Sequence, residues 1–353
     1  MPSVSGKERP EETSMKLTPI EGFRHFETDH CVTGSMRHVY AFHGHDLSED
    51  LLLGLGEGVG FAYFRFRGQP PFLGGRALPK PSMEEIAARR TGVHIKARKS
   101  SSDPAAEKAL VARLESGAPV MMQVDMGFLP YFDFGGREYH FGGHVVVACG
   151  LDRASGEVLI ADRDKELHPV PLPTLAAARS SRYRPFPPGR KWWDFDFAAF
   201  TPPSKPEILL AIRKQASFML SPPIANLGVR GIRKAAGEVG RWNSLLAAEE
   251  LRGALSNIWI FASAVGGSGG GLFRRMFSRF LGEAAERTGR RRLEKSGAEF
   301  GSIADAWDAI AVLSRKAADA PSAATYLPRL AGALAAVADT EEGAWKALAH
   351  IAS

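Results

Sequence analysis

The tetrapeptide Thr28-Asp29-His30-Cys31 opens a stretch, CVTGSMRHVYAFHG (31–44), with Val32, Met36, Val39 and Tyr40 at helical spacing and Gly44 as a stop. Thr28 or Asp29 has the side chain to cap the start of this helix. Cys31 then falls in the first turn, where unpaired N–H groups and the positive end of the helix dipole favour a thiolate. A thiolate so placed is a nucleophile; the bland alternative is a small buried apolar cysteine. The second cysteine, Cys149, lies in the apolar run VVVACG and reads as core.

A thiolate enzyme needs a base, and the base needs a group that orients it. Of ten histidines, His144 opens the strand-like HVVVACG (144–150), and the next apolar run, VLIAD (158–162), ends in Asp162. The turn LDRASG (151–156) between them folds the pair into a hairpin. This brings 144 opposite 162 or its immediate neighbour and implies an Nδ1–H···carboxylate contact. Alone, each residue reads as a strand end. With a helix-start cysteine they read as a triad of Cys31, His144 and Asp162.

The elements that must hold this triad change character near residue 200. Before it, PVMMQVDM (119–126), HVVVACG, VLIAD, FAYFRFR (61–67) and KWWDFDF (191–197) read as strands. MEEIAARR (83–90) and AAEKALVARLESG (105–117) read as helices, the second with Asp103 as cap, Pro104 at the first helical position and Gly117 at the stop. TPPSKP (201–206), with three prolines in six residues, is a boundary. After it ILLAIRKQASFML (208–220), GLFRRMFSRFLGEAAERTG (271–289), AWDAIAVLSRKAADA (306–320) and LPRLAGALAAVAD (327–339) are helical. The fold class expected is α+β, a catalytic domain over 18–200 followed by an all-α domain over 207–353.

The polar start, 1–17, has no apolar run of a signal peptide and reads as a disordered lead-in. No window approaches the ~18 unbroken apolar residues of a membrane span. Two cysteines among 353 residues exclude a disulfide scaffold and an all-cysteine metal cluster, and fit a reducing, cytoplasmic setting. A net charge of +6 permits an acidic protein, a phosphorylated ligand or nucleic acid, and selects none of them.

The order of these motifs (the Cys31 helix, GLGEGVGFAYFRFRG, PFLGGR, QVD, HFGGHVVVACG, ADRD) resembles the N-terminal domain of the butirosin-biosynthesis protein H family over residues 18–200. GGGLFRRMFSRFLGEAAE resembles the helical domain that follows in that family. The resemblance implies a papain-like cysteine fold and acyl transfer from an acyl carrier protein thioester, carried on phosphopantetheine, to a small-molecule amine, with no other cofactor. It maps Cys31 as nucleophile, His144 as base and Asp162 as orienting acid. Directly after the cysteine, where the family pattern carries a small residue, this sequence has Val32. Papain-like enzymes place a Gln six residues before the cysteine; here that position is His25, the expected oxyanion donor beside the Cys31 N–H, with Gln123 of QVD as its rival.

Other features weigh less. GLGEGVG (54–60) has no GxGxxG register, and GGSGGG (266–271) lacks the Lys-Ser/Thr of a phosphate loop; the latter reads as a hinge or as backbone close to a ligand. His43 and His45 of HGHD, and His140 with His144, lack the partners of a metal site, so no metal is expected. Arg274, Arg275 and Arg279 read equally as a docking surface for an acidic carrier protein and as a solvated helix face. No nucleic-acid motif accompanies them. Trp192, Trp193, Trp242 and Trp259 are candidate pocket walls or core, the pocket taking walls from both domains. A homo-oligomer stays open. The triad alone serves an acyltransferase or a cysteine peptidase or amidase, and a non-enzymatic binding module on the same fold is the third reading. Only the resemblance favours transfer.

Overall fold

A computed structural model describes residues 17–66, 69–76 and 81–352, so the expected lead-in lies outside the described residues except for Leu17. The N-terminal part runs α1 (Cys31–Phe42), α2 (Glu49–Leu55), β1 (Ala62–Phe64), β2 (Phe72–Gly74), α3 (Met83–Arg90), β3 (His94–Arg98), α4 (Asp103–Glu115), β4 (Val120–Val124), β5 (His144–Asp152), β6 (Glu157–Ala161), β7 (Leu167–Pro171), α5 (Leu172–Ser180) and β8 (Trp192–Asp196). Helices follow: α6 (Lys205–Leu220), α7 (Gly228–Val239), α8 (Trp242–Leu245), α9 (Ala248–Ala262), α10 (Arg274–Thr288), α11 (Arg292–Asp319) and α12 (Leu327–Ile351). The class is mixed α and β, with the helices concentrated after residue 200.

Six strands form an antiparallel sheet in the order β3-β8-β4-β5-β6-β7, and β1 pairs with β2 apart from it. The unbroken run VVVAC needs apolar cover on both faces, and it has it. Val145, Val147 and Cys149 share a core with Met36, Val39 and Tyr40 of α1. Val146 and Ala148 face Leu110 and Leu114 of α4 and Leu175 and Ala178 of α5. Cys149 is the fully buried core residue expected; burial pushes its thiol up to about 12.

Several boundaries differ from the sequence reading. The cap of α4 is Ser102, one residue before Asp103. The strand expected over 61–67 is only Ala62–Phe64, and Arg67 lies outside the described residues. The β5–β6 hairpin is longer than expected: it pairs through Asp152 with Glu157, and its register shifts between Ala148 and Gly150. Val147 therefore pairs with Ala161, and extending that ladder would set 144 against 164 rather than 162. GLGEGVG forms the turn after α2 and leads into β1.

The helical part does not stand off from the sheet. Its α10 packs on α2, α9 on β2 and α7 on β1. One apolar core runs from Met36 of α1 through Phe277 and Phe280 of α10 to Trp345 of α12. Gln215 of α6, buried in it, accepts from the Val59 N–H at 3.1 Å and donates back to the Val59 carbonyl. No described helix is long and apolar enough to cross a membrane.

Candidate active site

Cys31 is the first residue of α1, as expected, but the N-cap is His30 rather than Thr28 or Asp29. The Asp29 side chain is engaged elsewhere, and the Thr28 hydroxyl is buried without a hydrogen-bond partner among the described residues. The backbone N–H groups of Asp29 and His30 both donate to the Glu49 carboxylate of α2, at 2.8 and 3.2 Å. The Asp29 carboxylate binds Arg279 of α10 at 2.5 Å. Thr28 lies over Gly34, where a β-carbon would come within 2.3 Å of its hydroxyl, so the close approach of this turn to α1 requires glycine there.

His144 stands between Cys31 and Asp162. Its Nε2 lies 2.7 Å from Asp162 Oδ2, and its ring also hydrogen-bonds the Cys31 side chain. The expected contact was through Nδ1; with Nε2 on Asp162, Nδ1 is the nitrogen left for the thiol. The side chains meet although the ladder does not pair their residues, because a two-residue diagonal on one face is within reach of an imidazole. Asp162 is nearly fully buried and fully used: Oδ2 also accepts from Tyr131 at 2.9 Å, and Oδ1 accepts from the Arg163 N–H at 2.8 Å. Phe132 packs edge-on to His144 at 5.6 Å.

The charges follow from this arrangement. Burial alone would push the Cys31 thiol up; the hydrogen bond and charge of His144, the Arg163 guanidinium and the Val145 N–H outweigh it, and its pKa falls below the ordinary thiol value. Burial would lower His144, but the Asp162 carboxylate and the Cys31 sulfur raise it to about 9. Burial would raise Asp162, and His144 holds it below its usual range instead. The set shifts Cys31 and His144 toward a thiolate–imidazolium pair.

A second polar chain braces the turn. Arg76 approaches His30 Nε2 at 3.0 Å, and guanidinium only donates, so Nε2 accepts. Burial, with Arg76 and Arg163 nearby, holds His30 well below its usual value, so the ring is neutral. Its Nδ1 lies 3.4 Å from the Thr33 N and 3.1 Å from Thr33 Oγ1, which in turn reaches Glu49 at 3.5 Å. The sequence reading assigned no role to His30, Glu49, Arg76, Tyr131 or Arg163. Arg76 ends the PFLGGR segment and Arg163 lies within the ADRD segment it did quote; Glu49, beside Asp50 at the start of the apolar helix EDLLLGL, carried a signal that went unread.

Cys31 and His144 open into a cleft of about 390 Å³, walled by residues 126–141 on one side and by Trp259–Gly267 on the other. The first wall is held by buried Asp125, which accepts from the Gly127 and Phe141 N–H groups at 3.0 Å and from Ser181 at 2.6 Å. The second brings in the glycine segment. Gly267 has φ +75° and leaves no room for a β-carbon, which would sit 2.8 Å from an Arg163 nitrogen. Of the four tryptophans named above, Trp259 lines the cleft, while Trp193 and Trp242 are core.

The other expected residues lie apart. His25 stacks on buried His38 at 5.3 Å. Gln123 donates to the Gly142 carbonyl at 2.6 Å, holding the turn that leads to His144. Neither is among the residues lining the cleft. Arg274 corrects the docking surface: it is 0% exposed, bound to Glu341 of α12 at 2.8 and 2.9 Å. Helical spacing put 275 and 279 on one face but 274 on the inner one. Arg275 pairs with Asp305 and Asp308, and Arg279 with Asp29 and Asp50, so their charge is already matched within the chain. His43 and His45 stack on Phe197 and Phe200.

Residues 30–163 match the family model described as butirosin biosynthesis protein H, N-terminal. The matched segment begins one residue before Cys31 and ends one residue after Asp162, so it encloses Cys31, His144 and Asp162. Residues 173–348 match a separate domain of unknown function, DUF4872, which contributes the Trp259–Gly267 wall. No curated protein matches the chain.

Proposed function

We propose that the protein is a cysteine acyltransferase of papain-like architecture, acting in natural-product biosynthesis. It moves an acyl group from an acyl carrier protein thioester to a small-molecule amine. The observation that carries this reading is the hydrogen-bonded series Cys31–His144–Asp162, with the cysteine at a helix start and facing an open cleft. The family of residues 30–163, named for an antibiotic-biosynthesis protein, supports the setting.

The Cys31 thiolate attacks the thioester carbonyl, forming the S–C bond and a tetrahedral oxyanion. As N1 of α1, the Cys31 N–H has no helical carbonyl to bond and is free to donate to that oxyanion. The intermediate collapses by breaking the donor C–S bond, and the departing thiolate takes the proton of His144. Neutral His144 then removes a proton from the attacking amine. The second tetrahedral intermediate expels the Cys31 thiolate, leaving an amide and the starting ion pair. Asp162 stays ionised and holds the imidazole throughout. A thioester is already activated, so the enzyme's task is to favour amine over water in the cleft.

The test is incubation with short acyl thioesters, first of N-acetylcysteamine and then of carrier protein, followed by intact mass. A mass increase of one acyl group on the wild type, absent in Cys31→Ala, and its transfer to added amines support the reading. An adduct lost only to water reassigns the protein to hydrolysis. No adduct and no thioester turnover overturns it.

A further inference from the structure

The cleft beyond the nucleophile is graded in polarity. Cys31, His144 and Arg163 form its inner end, and the charged side chains Arg137 and Glu138 lie exposed at its rim. Between them Phe134, Tyr139 and Phe141 face Trp259, Phe261 and Val265. Two of these, Tyr139 at 36% and Val265 at 60%, are exposed large apolar side chains, and both line this one cleft. Contiguous exposed apolar surface marks a place where something apolar binds.

The walls are also fixed. Phe134 packs on Tyr139 at 4.8 Å, Phe261 meets Phe72 edge-on at 5.3 Å, and the Arg315 guanidinium covers the Trp259 ring at 4.2 Å. A volume of about 390 Å³ falls in the usual range of small-molecule sites. No carboxylate or amide stands among these six residues to receive an ammonium or a chain of hydroxyls.

Resting on the acyltransferase reading, we infer that this part of the cleft is the acyl subsite and that it selects an apolar acyl group, a medium alkyl chain or an aryl ring, over a charged aminoacyl group. The carbonyl sits at Cys31, and the chain lies between the 134–141 wall and the Trp259–Val265 wall. Burying the chain removes apolar surface of both ligand and protein from water, a gain a terminal ammonium would forfeit.

The experiment measures binding of N-acetylcysteamine thioesters to the Cys31→Ala protein by calorimetry, and acylation of the wild type by intact mass. The series is acetyl, butyryl, hexanoyl, benzoyl and 5-aminopentanoyl. Each fully buried methylene is worth about fourfold in affinity. Hexanoyl is therefore expected to bind at least about tenfold tighter than acetyl, and tighter than 5-aminopentanoyl of similar length. Val265→Asp, a change at an exposed position, and Trp259→Ala should each shrink the hexanoyl-to-acetyl ratio. Equal affinity across the series, no measurable binding of any member, or a ratio unchanged in both variants overturns the subsite. Acylation of Cys31 without chain preference overturns the subsite and leaves the acyltransferase standing. Chain-length preference without any acylation removes the acyl-enzyme and keeps the apolar site.

Discussion

Arg279 of α10 binds the carboxylate of Asp29, two residues before Cys31, at 2.5 Å, and the same guanidinium holds Asp50 of α2 at 2.7 and 2.9 Å. The turn that presents Cys31 is thus gripped from three directions. Glu49 takes its N–H groups, Arg163 lies 3.4 Å from the Asp29 carbonyl, and a helix more than 200 residues away in sequence takes its side chain. Arg279→Ala should lower the rate of Cys31 alkylation and acylation several-fold, while stability falls by only about 1 kcal/mol because the pair is half-exposed. Arg279→Lys should restore part of the rate. A variant whose melting temperature falls in step with its activity would show that Arg279 serves the fold and not the turn.

The ion pair predicts a characteristic pH response. The Cys31 thiol is lowered from its ordinary value by His144 and Arg163, and His144 is raised to about 9, so each charge favours the other. Alkylation of Cys31 by iodoacetamide should therefore set in at lower pH than that of a free thiol. Acylation should fall again above about pH 9, when His144 loses the proton the leaving thiolate needs. His144→Ala should return the alkylation profile to that of an ordinary thiol; an unshifted profile would remove His144 from the site.

Arg274 and Glu341 form a buried ion pair whose charges are both satisfied. The carboxylate accepts two bonds from Arg274 and one each from Trp307 and Trp345, at 2.7 and 3.0 Å. Removing one partner leaves the other charge stranded in a core of aromatic rings. Glu341→Ala or Arg274→Ala should cost about 3–5 kcal/mol in urea unfolding. Charge reversal at Arg274 should reduce soluble yield and harm carrier-protein and small thioester substrates alike. Selective loss on the carrier protein alone would restore the docking role that burial of this side chain removes.

The local parts of this site were legible because each has a local cause. A cysteine after a polar turn and before helical spacing starts a helix, and α1 begins at Cys31. Two apolar runs about a short turn make a hairpin, and β5 and β6 pair. What the sequence hid is non-local. The Asp29 side chain is taken by Arg279 and the N–H groups of the turn by Glu49, and both contacts depend on how α2 and α10 pack. The register was misjudged by a shift near Cys149 that no residue type announces. Arg274 looked like its neighbours, because charge alone does not tell the inner face of a basic helix from the outer one. Trp259 could be placed in the cleft only once the helical part was docked.

Glu49 links the same turn to stability through a sign that can be worked out. Burial raises its carboxyl to about 7, with the nearby Asp50 and Asp29 charges adding to the rise and the Asp29 and His30 N–H groups opposing it. A carboxyl whose native pKa lies above its unfolded value of about 4.5 favours the folded state most below that unfolded value. That contribution is lost as the pH rises through about 7, a change on the order of 3 kcal/mol in full. Glu49→Gln cannot ionise and should not show this loss. Urea unfolding of both proteins at pH 5 and pH 8 isolates the residue, because His144 and Cys31 titrate in each and cancel in the difference. The wild type should lose more stability than Glu49→Gln on going to pH 8. Equal losses would mean that the carboxylate is as well satisfied in the native turn as in water, and that the two N–H bonds fully offset its burial.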